Sequence, residues 1–124
     1  METMLSLEDS AVVLQVERRA RPRIPCDPPR LISVLARPYL ERIPAHVCNF
    51  SAIGIGITTD QPFEVDTLLT VQLPRREVGR SEILTAKVVH TKELPSGKWY
   101  MGCSLSRRLT PSEQHGLRYG QGLT

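Results

Sequence analysis

The chain has 124 residues, the size of one domain, with 40% hydrophobic and 23% charged side chains, a balance that excludes intrinsic disorder. No apolar run approaches the roughly 20 residues of a membrane-crossing helix. The start of the chain is acidic and lacks the basic lead of a secretory signal, so the cytoplasm is the expected compartment.

In chain order, Ser6-Leu7-Glu8-Asp9 can cap a helix that runs on through Ala11–Val16. The same apolar stretch also fits a strand; we read residues 1–16 as an N-terminal extension, a helix or loosely docked arm. Pro22 and Pro25 prevent a helix from continuing, so the basic run from Glu17 to Pro25 is read as an extended arm or loop. From residue 30 the pattern is strand and turn. Strands are expected over 31–36, 45–50, 54–58, 68–73, 82–90 and 99–105. The clearest is the fourth, where Leu69, Val71 and Leu73 alternate with Thr70 and Gln72. Pro95-Ser96-Gly97 turns the last two strands into a hairpin. Six short strands separated by proline and glycine point to a closed or nearly closed antiparallel barrel over 17–109, since closure removes exposed edges. Thr110-Pro111-Ser112-Glu113 is a capping box with proline at the first helical position, so 110–124 is read as a short helix to about Tyr119 and a tail.

The net charge is +3, but residues 17–42 hold seven arginines against three acids, and the whole chain has only three lysines. Arginine rather than lysine is suited to a planar fork that must meet phosphate or a guanine edge. Cys26, Cys48 and Cys103 are widely spaced and odd in number, which signals small buried residues rather than disulfides or a zinc knuckle. His46, His90 and His115 are too scattered for a metal site. Gly54-Ile55-Gly56 lacks the third glycine and the helix of a dinucleotide fold.

Two short patterns stand out in combination: Arg19-x-x-x-Arg23, preceded by Arg18, and Asn49-x-Ser51-x-x-Gly54 at a strand-turn-strand junction. Alone, the second also describes an ordinary turn. Glu17-Arg18-Arg19-Ala20-Arg21-Pro22-Arg23-Ile24-Pro25 resembles the opening motif of the PilZ domain family, and Asn49-Phe50-Ser51-Ala52-Ile53-Gly54 resembles its second motif. Val88-Val89-His90 with Gly102-Cys103-Ser104-Leu105 resembles its closing hairpin, although Leu105 stands where an aromatic residue is usual. The resemblance implies an all-β fold, a six-stranded, Greek-key-like antiparallel barrel with a short C-terminal α-helix. It also implies a cyclic di-GMP receptor that regulates an effector protein, with no cofactor and no catalysis. Arg19 and Arg23 would grip the ligand, Asn49, Ser51 and Gly54 would form its floor, Arg18 would favour a stacked ligand dimer, and His90 would lie nearby.

The chemistry of these residues fits that ligand independently. Arginine meets guanine O6 and N7 together and can stack on a base. An asparagine can bond a guanine edge or hold an arginine, a serine hydroxyl can reach a phosphate, and glycine permits a positive φ or close backbone approach. Two other classes remain open on the sequence: a ligand-blind adaptor of the same fold, and a small basic barrel for single-stranded nucleic acid. The 5% aromatic content opposes the latter, which needs exposed stacking rings. Nothing in the spacing places a nucleophile beside a base, or two carboxylates in a cleft, so an enzyme is not expected.

Overall fold

A computed structural model describes residues 5–17, 23–36, 41–74 and 81–119. Its elements in order are α1 (Leu7–Glu17), β1 (Ile24–Ala36), β2 (Arg42–Ser51), β3 (Gly54–Thr59), β4 (Leu68–Pro74), β5 (Ser81–Glu93), β6 (Trp99–Leu105) and α2 (Pro111–Tyr119). The strands close into one barrel in the order β1-β2-β3-β6-β5-β4, and every neighbouring pair is antiparallel. The expected six-stranded barrel with a C-terminal helix is therefore the observed fold.

Alternation fills the interior. Val34 on β1, Val47 and Phe50 on β2, Ile55 and Ile57 on β3, Leu69 and Val71 on β4, Val88 on β5 and Met101 on β6 are all fully buried in one apolar cluster. Burying each such side chain contributes about 1.5–3 kcal/mol.

The strand ends differ from the sequence expectation where bulges occur. β1 opens at Ile24, well before Leu31. Pro25 pairs with Asn49 and Arg30 with Val47, so the residues between them on β1 stand opposite Cys48 alone. Pro28 and Pro29 fall in this irregularity, where the ladder asks for no N–H. The basic arm thus gives way to strand at Ile24, while Arg18 and Arg19 lie outside the described residues. β2 and β3 slip between Val47 and Asn49, and β5 continues past His90 to Glu93 through a further register shift between Val88 and His90.

Both helices are fastened by side chains. At α2, Glu113 N–H donates to Thr110 Oγ1 (3.1 Å) and Thr110 N–H to Glu113 Oε1 (2.8 Å), the reciprocal pair of a capping box. Arg107 adds a two-pronged bridge to the same carboxylate, 2.9 and 2.8 Å, which with Thr110 holds the Glu113 carboxyl below its ordinary pKa despite burial. Leu117 enters the barrel core, and Arg30 of β1 donates to the Leu117 and Arg118 carbonyls at the helix end, 3.1 and 3.0 Å.

At α1, Ser6 Oγ accepts from Asp9 N–H (3.0 Å), as the sequence suggests, but the Asp9 carboxylate does not turn back to Ser6. It accepts instead from Ser96 N–H (3.1 Å) and Ser96 Oγ (2.6 Å) in the β5–β6 turn. Val13 then packs with Cys48, Leu94 and Tyr100 in a second small apolar cluster, outside the barrel wall.

Candidate functional site

A β-strand with one face to water alternates buried and exposed residues. All of β3, Gly54 to Thr59, is buried. Ile55 and Ile57 point into the barrel core, so Gly54, Gly56 and Thr58 face outward and are nonetheless covered. What covers them is the candidate site.

Three glycines lower this outer wall, at facing positions of β3 and β6: Gly56 pairs with Gly102 and Gly54 with Ser104. A methyl group on Gly54 would lie 3.0 Å from Arg23 Nη2. One on Gly56 would meet Asn49 Oδ1 and the Tyr100 hydroxyl, and one on Gly102 would meet the His90 ring. Each glycine therefore gives its space to polar side chains, Gly54 and Gly102 to one each and Gly56 to two, as glycine inside a strand often does.

Those side chains form a connected chain. Arg23 Nη1 donates to Asn49 Oδ1 at 3.0 Å, from just before β1 to the middle of β2. Asn49, only 7% exposed, donates through Nδ2 to the Tyr100 hydroxyl at 3.2 Å and to Cys48 Sγ at 3.7 Å. Cys48 Sγ–H in turn reaches the Gly56 carbonyl at 3.4 Å. The Tyr100 ring is fully buried and stands 6.0 Å from the His90 ring, centroid to centroid. The Arg23 charge reaches inward as well. Burial pushes the Cys103 thiol up to about 12, and Arg23 is the group that pulls it the other way.

The structure thus brings Arg23, Asn49 and Gly54 together and sets His90 on the same wall through Tyr100 and Gly102. Ser51 is half-buried and its Oγ accepts from Ile53 N–H at 3.4 Å, closing the turn into β3. Gly54 has no positive φ, which among the described glycines belongs to Gly97; of its two expected uses, close approach is the one seen. All three cysteines are free and buried, and burial also takes the Cys26 thiol to about 12.

Beside this chain lies a cavity of about 580 Å³. The barrel side supplies Arg23, Pro25, Cys48 and Asn49, and α1 supplies Ser10, Val13 and Leu14. Its volume falls within the roughly 300–1,000 Å³ of small-molecule sites. A guanidinium, a carboxamide and a hydroxyl among aliphatic walls can orient a planar base and attract an anion.

Gly56, Gly102 and Tyr100 were not singled out as site residues from the sequence. A glycine in the middle of a strand is a usable signal, since it weakens the strand unless something needs the room. Tyr100 carried no signal, because an aromatic in a strand reads as packing.

The family model described as PilZ domain matches residues 17–119. No curated protein matches the chain.

Proposed function

The chain belongs to the PilZ domain family, a family of cyclic di-GMP receptors that act as ligand-binding adaptors, and from that premise we propose that it binds cyclic di-GMP on the outer barrel wall around Asn49 and passes the change of surface to an effector protein. In this reading Arg23, with Arg18 and Arg19 from the preceding segment, grips the guanine edges and phosphates. Asn49 fixes the Arg23 fork, Gly54 gives the close approach, and His90 borders the floor. Ser51 sets the turn that presents Gly54. No chemistry is done on the ligand.

The observation that carries the reading is the Arg23–Asn49 hydrogen bond over Gly54. It joins the two sequence motifs, separated by 26 positions, in one place. The guanidinium is held by its Nη1 edge, with a rigid fork suited to guanine O6 and N7. Against a single-stranded nucleic acid, the wall offers glycines where a stacking platform would offer rings, and Tyr100 is fully buried.

The test is calorimetric titration of the full chain with cyclic di-GMP, at two salt concentrations, with an oligonucleotide as competitor. Saturable binding weakened by salt is expected. Arg23→Ala should reduce affinity at least about tenfold, or about 1.4 kcal/mol, a modest share of what truncating a desolvated charge contact removes. Wild-type affinity in Arg23→Ala, or preference for the oligonucleotide, overturns the proposal.

A further inference from the structure

We propose that α1 is a wall of the ligand site, so that its docking on the barrel and ligand binding strengthen each other. This rests on the cyclic di-GMP reading above and assigns α1 a role that lies outside the family match, which begins at residue 17.

The cavity beside Arg23 and Asn49 is a space between helix and barrel, with Ser10, Val13 and Leu14 forming its helical side. It holds about 580 Å³ while α1 is docked, which is room for a compact ligand without removing the helix. The helical side adds to the chemistry of the barrel side. Val13 and Leu14 offer aliphatic surface for the face of a base, and Ser10 offers a hydroxyl for its edge, opposite the Arg23 and Asn49 polar groups. Leu14 is 73% exposed at the cavity mouth, so apolar surface is left there for a ring to cover.

The hold of α1 on the barrel is light. Its described side chains include two buried ones, Val13 in the cluster with Cys48, Leu94 and Tyr100, and Asp9 on Ser96. Val12 packs partly against the same cluster, and a helix with this few anchors among its described side chains belongs to the low-stability end of a fold. A ligand that touches both walls adds contacts that exist only in the docked state, and it shifts the docking equilibrium accordingly. By linkage, the factor by which docking raises ligand affinity equals the factor by which ligand favours docking. The outer face of α1, with Leu7 91% exposed, then becomes a fixed feature of the liganded surface.

The decisive variant is Ser96→Ala, which removes the shorter, hydroxyl half of the Asp9 clamp, leaves the Ser96 N–H bond, lies in an exposed turn and touches no cavity residue. Cyclic di-GMP affinity is measured by calorimetry for wild type and variant, and amide hydrogen exchange of residues 7–14 is measured with and without cyclic di-GMP. The expected results are an affinity loss of about fivefold or more in Ser96→Ala, the lower end of common coupling factors, and slower exchange in α1 on adding ligand to wild type. A wild-type chain that binds, with Ser96→Ala equal or tighter and α1 exchange not slowed, overturns the role of α1 alone. A wild-type chain that does not bind overturns the functional reading together with it.

Discussion

Gly56→Ala tests the site's internal support without removing any polar group. The new methyl would lie 2.8 Å from Tyr100 Cε1 and closer still to the Tyr100 hydroxyl and Asn49 Oδ1. Tyr100 is fully buried against Val13, Cys48 and Leu94 and has no direction in which to retreat. Asn49 must swing aside, and it then loses both the Tyr100 hydroxyl and the Arg23 guanidinium. Overpacking of this kind costs about 1–3 kcal/mol, and the two lost hydrogen bonds add about 1 kcal/mol each. A destabilisation of about 3–5 kcal/mol therefore follows, comparable with the lower end of the roughly 5–15 kcal/mol of a typical domain. Urea unfolding should show a lower midpoint with unchanged slope, and cyclic di-GMP affinity should fall about as far as in Arg23→Ala. Gly97→Ala is the control: its φ of +93° makes the substitution strained, but nothing lies within 4 Å, so stability drops by about 1 kcal/mol and affinity stays. A Gly56→Ala chain with wild-type midpoint and affinity would refute the claim that this glycine holds space for Asn49.

Tyr100→Phe keeps the buried ring and removes the hydroxyl that receives Asn49 Nδ2; stability should fall by about 0.5–1.5 kcal/mol, ligand affinity should fall in the Asn49 background, and no further affinity should be lost when Asn49→Ala is already present. Thr110→Ala removes the N-cap of α2, and urea unfolding should report a loss of about 1 kcal/mol with ligand affinity intact. Cys26 and Cys103 are raised by burial from 9.0 to about 12. Above about pH 9 the unfolded chain releases these protons and the fold retains them, so the stability they contribute is complete below that pH and declines above it. The slope is about 1.4 kcal/mol per pH unit for each thiol. Denaturation midpoints between about pH 9 and 11 should thus fall more steeply in wild type than in a Cys26→Ala/Cys103→Ala chain.

Where local rules and tertiary context agree, the sequence is a sufficient guide. β6 and α2 begin and end where Trp99, Leu105 and Pro111 suggest, and the Thr110–Glu113 box forms as spelled. The alternation of residues 68–73 is the β4 strand. The expectation fails at bulges. Pro25, Pro28 and Pro29 disguise the first part of β1, because only the partner strand reveals that no N–H is needed there. The shift between Val88 and His90 likewise breaks the period that would have extended β5 to Glu93. In the site, residues 23, 49 and 54 could be grouped because they fall in the two motifs that resemble those of the PilZ family, whose ligand their types suit. Tyr100 and Gly56 could not, since their part is to shape space around Asn49, and that is a property of packing. The docking of α1 was illegible for a related reason: Asp9 finds its partner at Ser96, 87 residues away.

The position of the site follows from the size of the barrel. Barrels of about eight strands have interiors just wide enough for side chains or one small ligand. With six strands, and with Val34, Val47, Ile55, Ile57, Leu69, Val71 and Val88 each completely buried, the interior here is filled by its own residues. On the proposed reading the ligand is then held on the outer wall, where a regular strand offers only a ridge of side chains and open water. Three departures from regularity remedy this. Glycines at 54, 56 and 102 lower the wall so that polar side chains can lie flat on it. The slipped register of β1 and β2 near Asn49 lets Arg23 cross to β2 and hang over β3. Helix α1, whose buried side chains among the described ones are Val13 and Asp9, lines the opposite side of the cavity. Each departure weakens the barrel as a barrel, through lost strand propensity, broken ladder or thin packing. That cost is sensible only if a ligand or partner contributes contact energy at the same place, which is why perturbing these three features should affect binding as well as folding, and perturbing the α2 cap folding alone.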